Sequence, residues 1–479
     1  MKSALKATAL LGSSSLITIA LGVLTAKVWA RLIGPQGYGH MGLLQSSVTL
    51  FAIVAELGLA TTIVRQTAFP IASGDKLEVH AIWRSAVVIL LPALLLIGIV
   101  LVVFRAPLAG FLLGDNRSGT VVLWVIPMLF FGVSSNLRTG LINAHHQVKA
   151  LAATNVALNI IGTLTSLALI IPFGISGIAP SLALGAVVRW IFVTVVLWKT
   201  TGLLFPKGRV VAHHVRELLR HGVPVTASMI VGPGVQFLLP VIVLHLVNKN
   251  AVGHYQAANS IAITLIGFML TAVGHDYYPR VSAARGDVAS LRGIAQEQHR
   301  LLLLLGTPLL LGIKWGIGWA VPYLLSSDFL PVIDILSWHL LGELLRFSSV
   351  SFAYVVLVRF SGLAFFVPAL INGVVIFLCT ITLVPIFGIK GVGMAFSISH
   401  LVYLVIVAVQ VRSRLGWGLG RDVRFLLIGL LALVLPTVLP PTMASQRSWL
   451  EFIFAGCATV FSASELWRKW QSAKDSRKE

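Results

Sequence analysis

Eight ionisable residues stand inside long apolar runs of this sequence: Lys27, Arg31, Glu56, Arg138, Arg189, Lys314, Glu343 and Arg346. A charge at the centre of a bilayer costs at least about 2.5 to 3.5 kcal/mol, so a residue placed there faces a water-filled cavity or a partner. Lys27 and Arg31 are four apart, on one helical face, where two cations can meet a phosphate; near the end of their run they can equally snorkel to the interface. Arg189, between Val188 and Trp190, lies too deep in its run to snorkel easily, which favours a cavity-facing cation. Arg138 follows Ser134, Ser135 and Asn136 toward one mouth of its span, as a first contact for an anionic group or as an ordinary anchor.

The carboxylates pose the opposite question. Glu56 is the deep carboxylate of the first half, a candidate proton or sodium site or one partner of an interhelical salt bridge. Glu343 and Arg346 are three apart and read first as a mutually neutralising pair, with Glu343 the second ion-coupling candidate and Arg346 a further substrate-binding one. Lys314, a further substrate-binding candidate, has no acidic residue near it in sequence, so it faces water or is buried with its charge disfavoured. His245, His339 and His400 read as satisfied polar residues, and His145-His146 falls in a loop. Only His339 and Glu343 share an i,i+4 spacing, and neither a metal nor a cofactor is expected.

The elements that must position these residues are helices in a membrane. Of the 479 residues 57% are hydrophobic and 11% charged, whereas soluble domains carry about 25% charge, and the mean hydropathy is +0.93. The apolar runs suit helices crossing roughly 30 Å of hydrocarbon, and the absence of strand-like alternation excludes a β-barrel. Gly, Pro and charged breaks divide the chain into about fourteen such helices. Cys379 and Cys457 lie inside apolar runs and support neither a disulfide framework nor a thiolate metal site. The net charge of +20 is spread over loops rather than gathered in a basic domain, so nucleic acid is not an expected partner. Most Lys and Arg fall on one side when the helices alternate, which puts both termini in the cytoplasm. The first run ends in Val28-Trp29-Ala30 and weakly resembles a signal peptide; its length and its internal repeat partner near residue 225 argue for retention.

The chain is duplicated. An offset of 214 places Gly39-His40 over Gly253-His254, Phe173-Gly174-Ile175 over Phe387-Gly388-Ile389, and Leu5-Lys6 over Leu219-Arg220. Two six-helix lobes are expected, 1–205 and 206–415, followed by an extra helix pair and basic cytoplasmic tail at 416–479. Six helices restore the starting side, so the repeats are parallel. The charges are not duplicated, since Arg31 aligns with His245 and Glu56 with Leu270, and headgroup binding is expected mainly in the first lobe.

Leu32-Ile33-Gly34-Pro35-Gln36-Gly37-Tyr38-Gly39, Glu56-Leu57-Gly58-Leu59 with Ile63-Val64-Arg65, and Ala251-Val252-Gly253-His254-Tyr255 resemble Wzx-type polysaccharide flippases. These belong to the multidrug/oligosaccharidyl-lipid/polysaccharide exporter superfamily. Pro70 and Pro279, closing the second helix of each lobe, also fit the family. The resemblance implies an all-α fold of two lobes in a V, with undecaprenyl-pyrophosphate-linked oligosaccharide, such as an O-antigen repeat unit, moved from the cytoplasmic to the outer leaflet by alternating access. It further implies the bacterial inner membrane, membrane lipids as surroundings, and polysaccharide polymerase and chain-length machinery as candidate partners. A peptidoglycan-precursor flippase shares the cationic chemistry, and a multidrug antiporter would favour acidic cavity residues over the basic ones here. A membrane polymerase, ligase or glycosyltransferase would need a large outer loop, and the outer connections are short. No Walker motif occurs, so the chain is not expected to be an ATP-hydrolysing enzyme.

Overall fold

The computed structural model describes residues 2–418, 428–430, 432–433, 450, 453–465 and 467, with side chains from Leu21 onward except at 148, 268, 271, 272 and 275. α1 (Lys2–Glu56) is two helices joined by a kink at Gly34, whose φ of 61° breaks the helix; Pro35, with no N–H to lose, starts the second helix. That second pass continues into α2 (Leu59–Ala72) through a break at Leu57 and Gly58, both with positive φ. The apolar pattern predicts one unbroken span at 40–63. The break departs from this, and it falls immediately after Glu56.

α3 (Lys76–Val103) is capped by the Asp75 side chain, and short α4 (Arg105–Leu113) and α5 (Gly119–Leu123) lead into α6 (Val125–Ala144). α7 (Val148–Phe173) and α8 (Ile178–Thr201) complete six passes. The second six are the bent pair α9 (Ala212–Met229) and α10 (Val231–Leu246), then α11 (Lys249–Ala283), α12 (Val288–Leu324), α13 (Val332–Arg359), α14 (Gly362–Phe387) and α15 (Lys390–Leu415). Asp287 caps α12; hydrogen bonds from the Ser290 hydroxyl and then the Ala289 amide hold its carboxyl below the usual range. Pro70 and Pro279 lie inside α2 and α11, near their ends.

Among the described residues seven helical stretches are long and apolar enough to cross a membrane alone, one of them holding both α7 and α8, and two bent pairs qualify jointly. Apolar side chains such as Phe69, Leu95 and Leu363 face outward, an arrangement that lipid tails, not water, would solvate. The chain is a multi-pass, all-α membrane protein. Of the extra helices expected after 415, the one at 424–440 lies mostly outside the described residues, as does the basic tail; Ile453–Glu465 belongs to the other.

The duplication is visible in the backbone. α7 and α14 are 214 residues apart at both ends, and each stops at a glycine with the same unusual conformation, Gly174 at φ 56°, ψ −133° and Gly388 at φ 66°, ψ −155°. Gly202 and Gly416, also 214 apart, both end a sixth helix with positive φ.

Packing divides the chain into Met1–Gly253 and His254–Glu479. α9 and α10, which open the second copy in sequence, therefore pack in the first unit. There Gly222 of α9 lies on the break after Glu56: a Cβ on Gly58 would stand 2.9 Å from the Gly222 Cα, an approach open only to glycine on both sides. Arg65 and His221 share a hydrogen bond of 3.1 Å beside it, and His214 meets Glu78 at 3.0 Å.

Candidate functional site

In the first unit the break in the second pass, α6 and α8 bring three of the sequence-selected groups together. The Glu56 carboxylate ends α1 and lies beside the backbone N–H of Ala60, in the first turn of α2, where a helix start favours negative charge. Asn136 of α6 donates to Glu56 Oε2 at 3.3 Å and accepts from the Arg189 guanidinium of α8 at 3.3 Å. Arg donates only, so the amide orientation is fixed: oxygen toward Arg189, nitrogen toward Glu56. Glu56 and Arg189 are thus linked through an amide. Arg189 keeps an exposed face.

Arg138, two residues along α6 from Asn136, is 6% exposed. Its guanidinium donates to the Ser134 carbonyl at 2.9 Å and the Ser134 hydroxyl at 2.5 Å, with its carbon 5.1 Å from the Trp190 ring centre and 5.8 Å from that of Trp83. Trp190 closes the group by donating its indole N–H to the Ser134 hydroxyl at 3.2 Å. Cation–π contacts of this kind are worth about 2 kcal/mol when desolvated. Arg138 therefore sits between aromatic rings of α3 and α8, while Arg189 carries the accessible charge.

Lys27 and Arg31 lie on the first pass of α1, half-buried and exposed respectively. Twenty-five residues separate Arg31 from Glu56, a path of roughly 37 Å along helix, interrupted by the Gly34 turn. The side chains that Asn136 bonds are Glu56 and Arg189.

In the second unit Glu343 is 2% exposed, and one Arg346 guanidinium nitrogen reaches both of its oxygens at 3.2 and 3.4 Å. His339 Nε2 approaches Glu343 at 3.5 Å. The His339 ring stacks on Phe396 of α15 at 3.7 Å, and Phe396 meets His400 on its own helix at 4.1 Å. His400 Nδ1 is 3.0 Å from the Phe396 carbonyl, and His245 Nε2 is 2.9 Å from that of Phe111. Lys314 is buried and donates to the Leu433 carbonyl of the C-terminal segment. Of the two environments open to Lys314 in the sequence, the structure has the buried one.

Sequence reasoning missed Asn136 as a connector, the Trp83 and Trp190 walls, and Phe396. A signal existed for the first, since Ser134, Ser135 and Asn136 form a polar run inside a span, and for Trp190, next to Arg189. Trp83 and Phe396 carried none, because aromatic residues in apolar helices are ordinarily core.

The polysaccharide biosynthesis protein family matches residues 4–284, more than half of the chain. The chain belongs to this family. A lipid III flippase of Escherichia coli (strain K12) is 21% identical over 415 residues, covering 83% of this chain and 95% of the relative. Among solved structures, the lipid II flippase MurJ in an inward closed conformation superposes with a TM-score of 0.75 at 14% identity, over 96% of this chain and 99% of that one. An inward-facing multidrug resistance transporter of the MATE family and MOP superfamily gives 0.65 at 18% identity, over 84% and 94%. The expected resemblance to polysaccharide-handling membrane proteins is borne out by the family match, and the structural likenesses establish the fold.

Proposed function

We propose that this protein is a flippase that carries undecaprenyl-pyrophosphate-linked oligosaccharide from the cytoplasmic to the outer leaflet by alternating access. The observation that carries the reading is Arg189: an accessible guanidinium in mid-span, oriented by Asn136, in a chain of the polysaccharide biosynthesis protein family. A planar cation with free donors suits a pyrophosphate, whose oxygens it can meet in a bidentate pair. The lipid III flippase relative, matched over most of both chains, supports a lipid-linked cargo. Arg31 and Lys27 supply a second cationic station near the outer end of the first pass, and Arg346 a third in the other unit. Arg138 supports the first by holding Trp190 and Ser134 behind Arg189. Lys314 binds no headgroup in this reading.

Glu56 is the ion-coupling candidate, because it combines a carboxylate, a helix start and a break that can change angle; Glu343, already paired with Arg346, is the lesser one. The protein resides in the bacterial inner membrane with both termini cytoplasmic, and its partners include polymerase and chain-length machinery. A peptidoglycan-precursor lipid is the second substrate reading, favoured by the fold likeness to a lipid II flippase over nearly the whole chain.

The test is transport of fluorescent undecaprenyl-pyrophosphate oligosaccharides across proteoliposomes, with the peptidoglycan precursor alongside. Arg189→Ala removes one charge-assisted contact, about 1.5–3 kcal/mol, and should lower transport by roughly 10- to 150-fold at equal protein. Wild-type inactivity toward every such lipid, together with proton-driven export of an organic cation, would move the protein to the multidrug branch.

A further inference from the structure

Beside the headgroup cluster, α3 and α6 leave a groove of about 470 Å³ between them. All ten of its lining residues are apolar or glycine. Leu94 and Leu129 are its buried floor, while Leu95, Ile99 and Phe130 are exposed along its rim. The lining on α3 runs from Leu91 to Val103, about 18 Å of helix, more than half the hydrocarbon thickness of roughly 30 Å.

The groove continues the seam that holds the cluster. On α6, Leu129 and Asn136 are seven apart and share a face, and Phe130 stands one turn from Ser134. On α3, Leu94 lies three turns from Trp83 on one face, and Trp83 is a wall of the Arg138 site. Phe130 and Leu91 are each eight residues, about 12 Å, from Arg138 and Trp83, so the near end of the groove begins within about 12 Å of the charged group. Gly98 widens it: a Cβ there would meet nothing within 4 Å.

We infer that this groove is the binding site for the polyprenyl chain of the lipid substrate. The inference rests on the flippase reading above. A headgroup held at Asn136 and Arg189 has its lipid chain attached, and that chain must leave through an apolar path; the α3–α6 groove begins about 12 Å away along the two helices that wall the cluster, is apolar throughout and is long enough for a chain segment. Its volume falls within the roughly 300–1,000 Å³ of ligand-holding pockets. Bulk acyl chains meet the rim without selection, whereas a chain tethered to a bound headgroup is presented to the groove at high effective concentration.

The experiment uses the full chain in proteoliposomes, with a photoreactive benzophenone residue at Ile99 or, as a control outside the groove, at Leu363. The probes are a fluorescent undecaprenyl-pyrophosphate oligosaccharide, a farnesyl analogue with the same headgroup, and labelled phosphatidylglycerol. The Ile99 derivative should form an adduct with the undecaprenyl probe that excess unlabelled undecaprenyl lipid suppresses at least fivefold and phosphatidylglycerol does not. Gly98→Phe, which fills open space rather than packed core, should slow transport of the undecaprenyl lipid at least tenfold relative to the farnesyl analogue, whereas Leu363→Phe, outside the groove, should slow neither. Adducts with phosphatidylglycerol alone, or equal effects of Gly98→Phe on both chain lengths, would overturn the groove assignment while wild-type transport leaves the flippase reading standing. Absence of wild-type transport would sink that reading, and undecaprenyl adducts at Ile99 would then still report on the groove.

Discussion

The pair Glu343 and Arg346 tests how burial partitions the worth of a membrane ion pair. The carboxylate is 2% exposed and the arginine side chain 39% exposed. Removing the arginine and removing the carboxylate are therefore unequal perturbations. Arg346→Met strands a nearly dry carboxylate beside His339, a loss of about 3–5 kcal/mol. Glu343→Gln preserves shape and an acceptor oxygen, and the arginine it leaves can rehydrate through its exposed face. Exchanging a charge-assisted hydrogen bond for a neutral-acceptor one costs about 1–1.5 kcal/mol. The double variant removes the stranded charge and should recover about 2 kcal/mol relative to Arg346→Met alone. At roughly 2–4 °C per kcal/mol for a unit of this size, Arg346→Met should lower the unfolding midpoint by about 6–20 °C and Glu343→Gln by about 2–6 °C. Thermal unfolding of the purified protein in detergent, read by tryptophan fluorescence, measures both. A larger loss for Glu343→Gln, or a double variant less stable than Arg346→Met, would refute the reasoning and would mean that the carboxylate has a further partner. If Arg346 also binds the headgroup, transport by Arg346→Met falls further than the lost folded fraction accounts for.

Three other outcomes follow from the geometry. Arg138→Leu with Trp83 and Trp190 intact should destabilise the first unit by about 2 kcal/mol, seen as a lowered unfolding midpoint, because the cation–π contacts and the Ser134 bonds go together. Asn136→Leu should reduce transport by at least tenfold, with Asn136→Gln restoring part of it, whereas a purely structural amide would leave transport per folded molecule unchanged. Gly177→Ala and Gly391→Ala, 214 residues apart, should lower the unfolding midpoint alike, since a Cβ at either would stand 2.7–2.8 Å from the carbonyl carbon of Leu169 or Leu383, themselves 214 apart; unequal losses would show that the two copies have diverged in packing.

The sequence by itself determined the class of protein, the helices and the duplication. Hydrocarbon forces every backbone polar group to be satisfied within its own helix, so apolar run length reports span number without tertiary information. The turn at Gly34-Pro35 was equally legible, because only glycine takes that φ readily and proline suits the first helical turn. The sequence also named most of the ionisable groups of the site, since a charge in an apolar run is conspicuous whatever it touches.

What the charges touch was decided by the tertiary structure. Arg138 and Arg189 both stand inside helices of the first unit, yet one is packed between two tryptophans and the other keeps an exposed face, because that difference lies in which neighbouring helix each side chain meets. Asn136 became a connector only when α8 and the end of α1 came within hydrogen-bond reach of α6, contacts between residues 53 and 80 positions apart. The break after Glu56 was hidden for the same reason. Leu57 and Gly58 read as helix by hydropathy, and the close approach of Gly222 from a helix more than 160 residues later stands on that break. Local composition governs where the chain becomes helix in a bilayer; the partners of a buried charge depend on long-range packing that no local window contains.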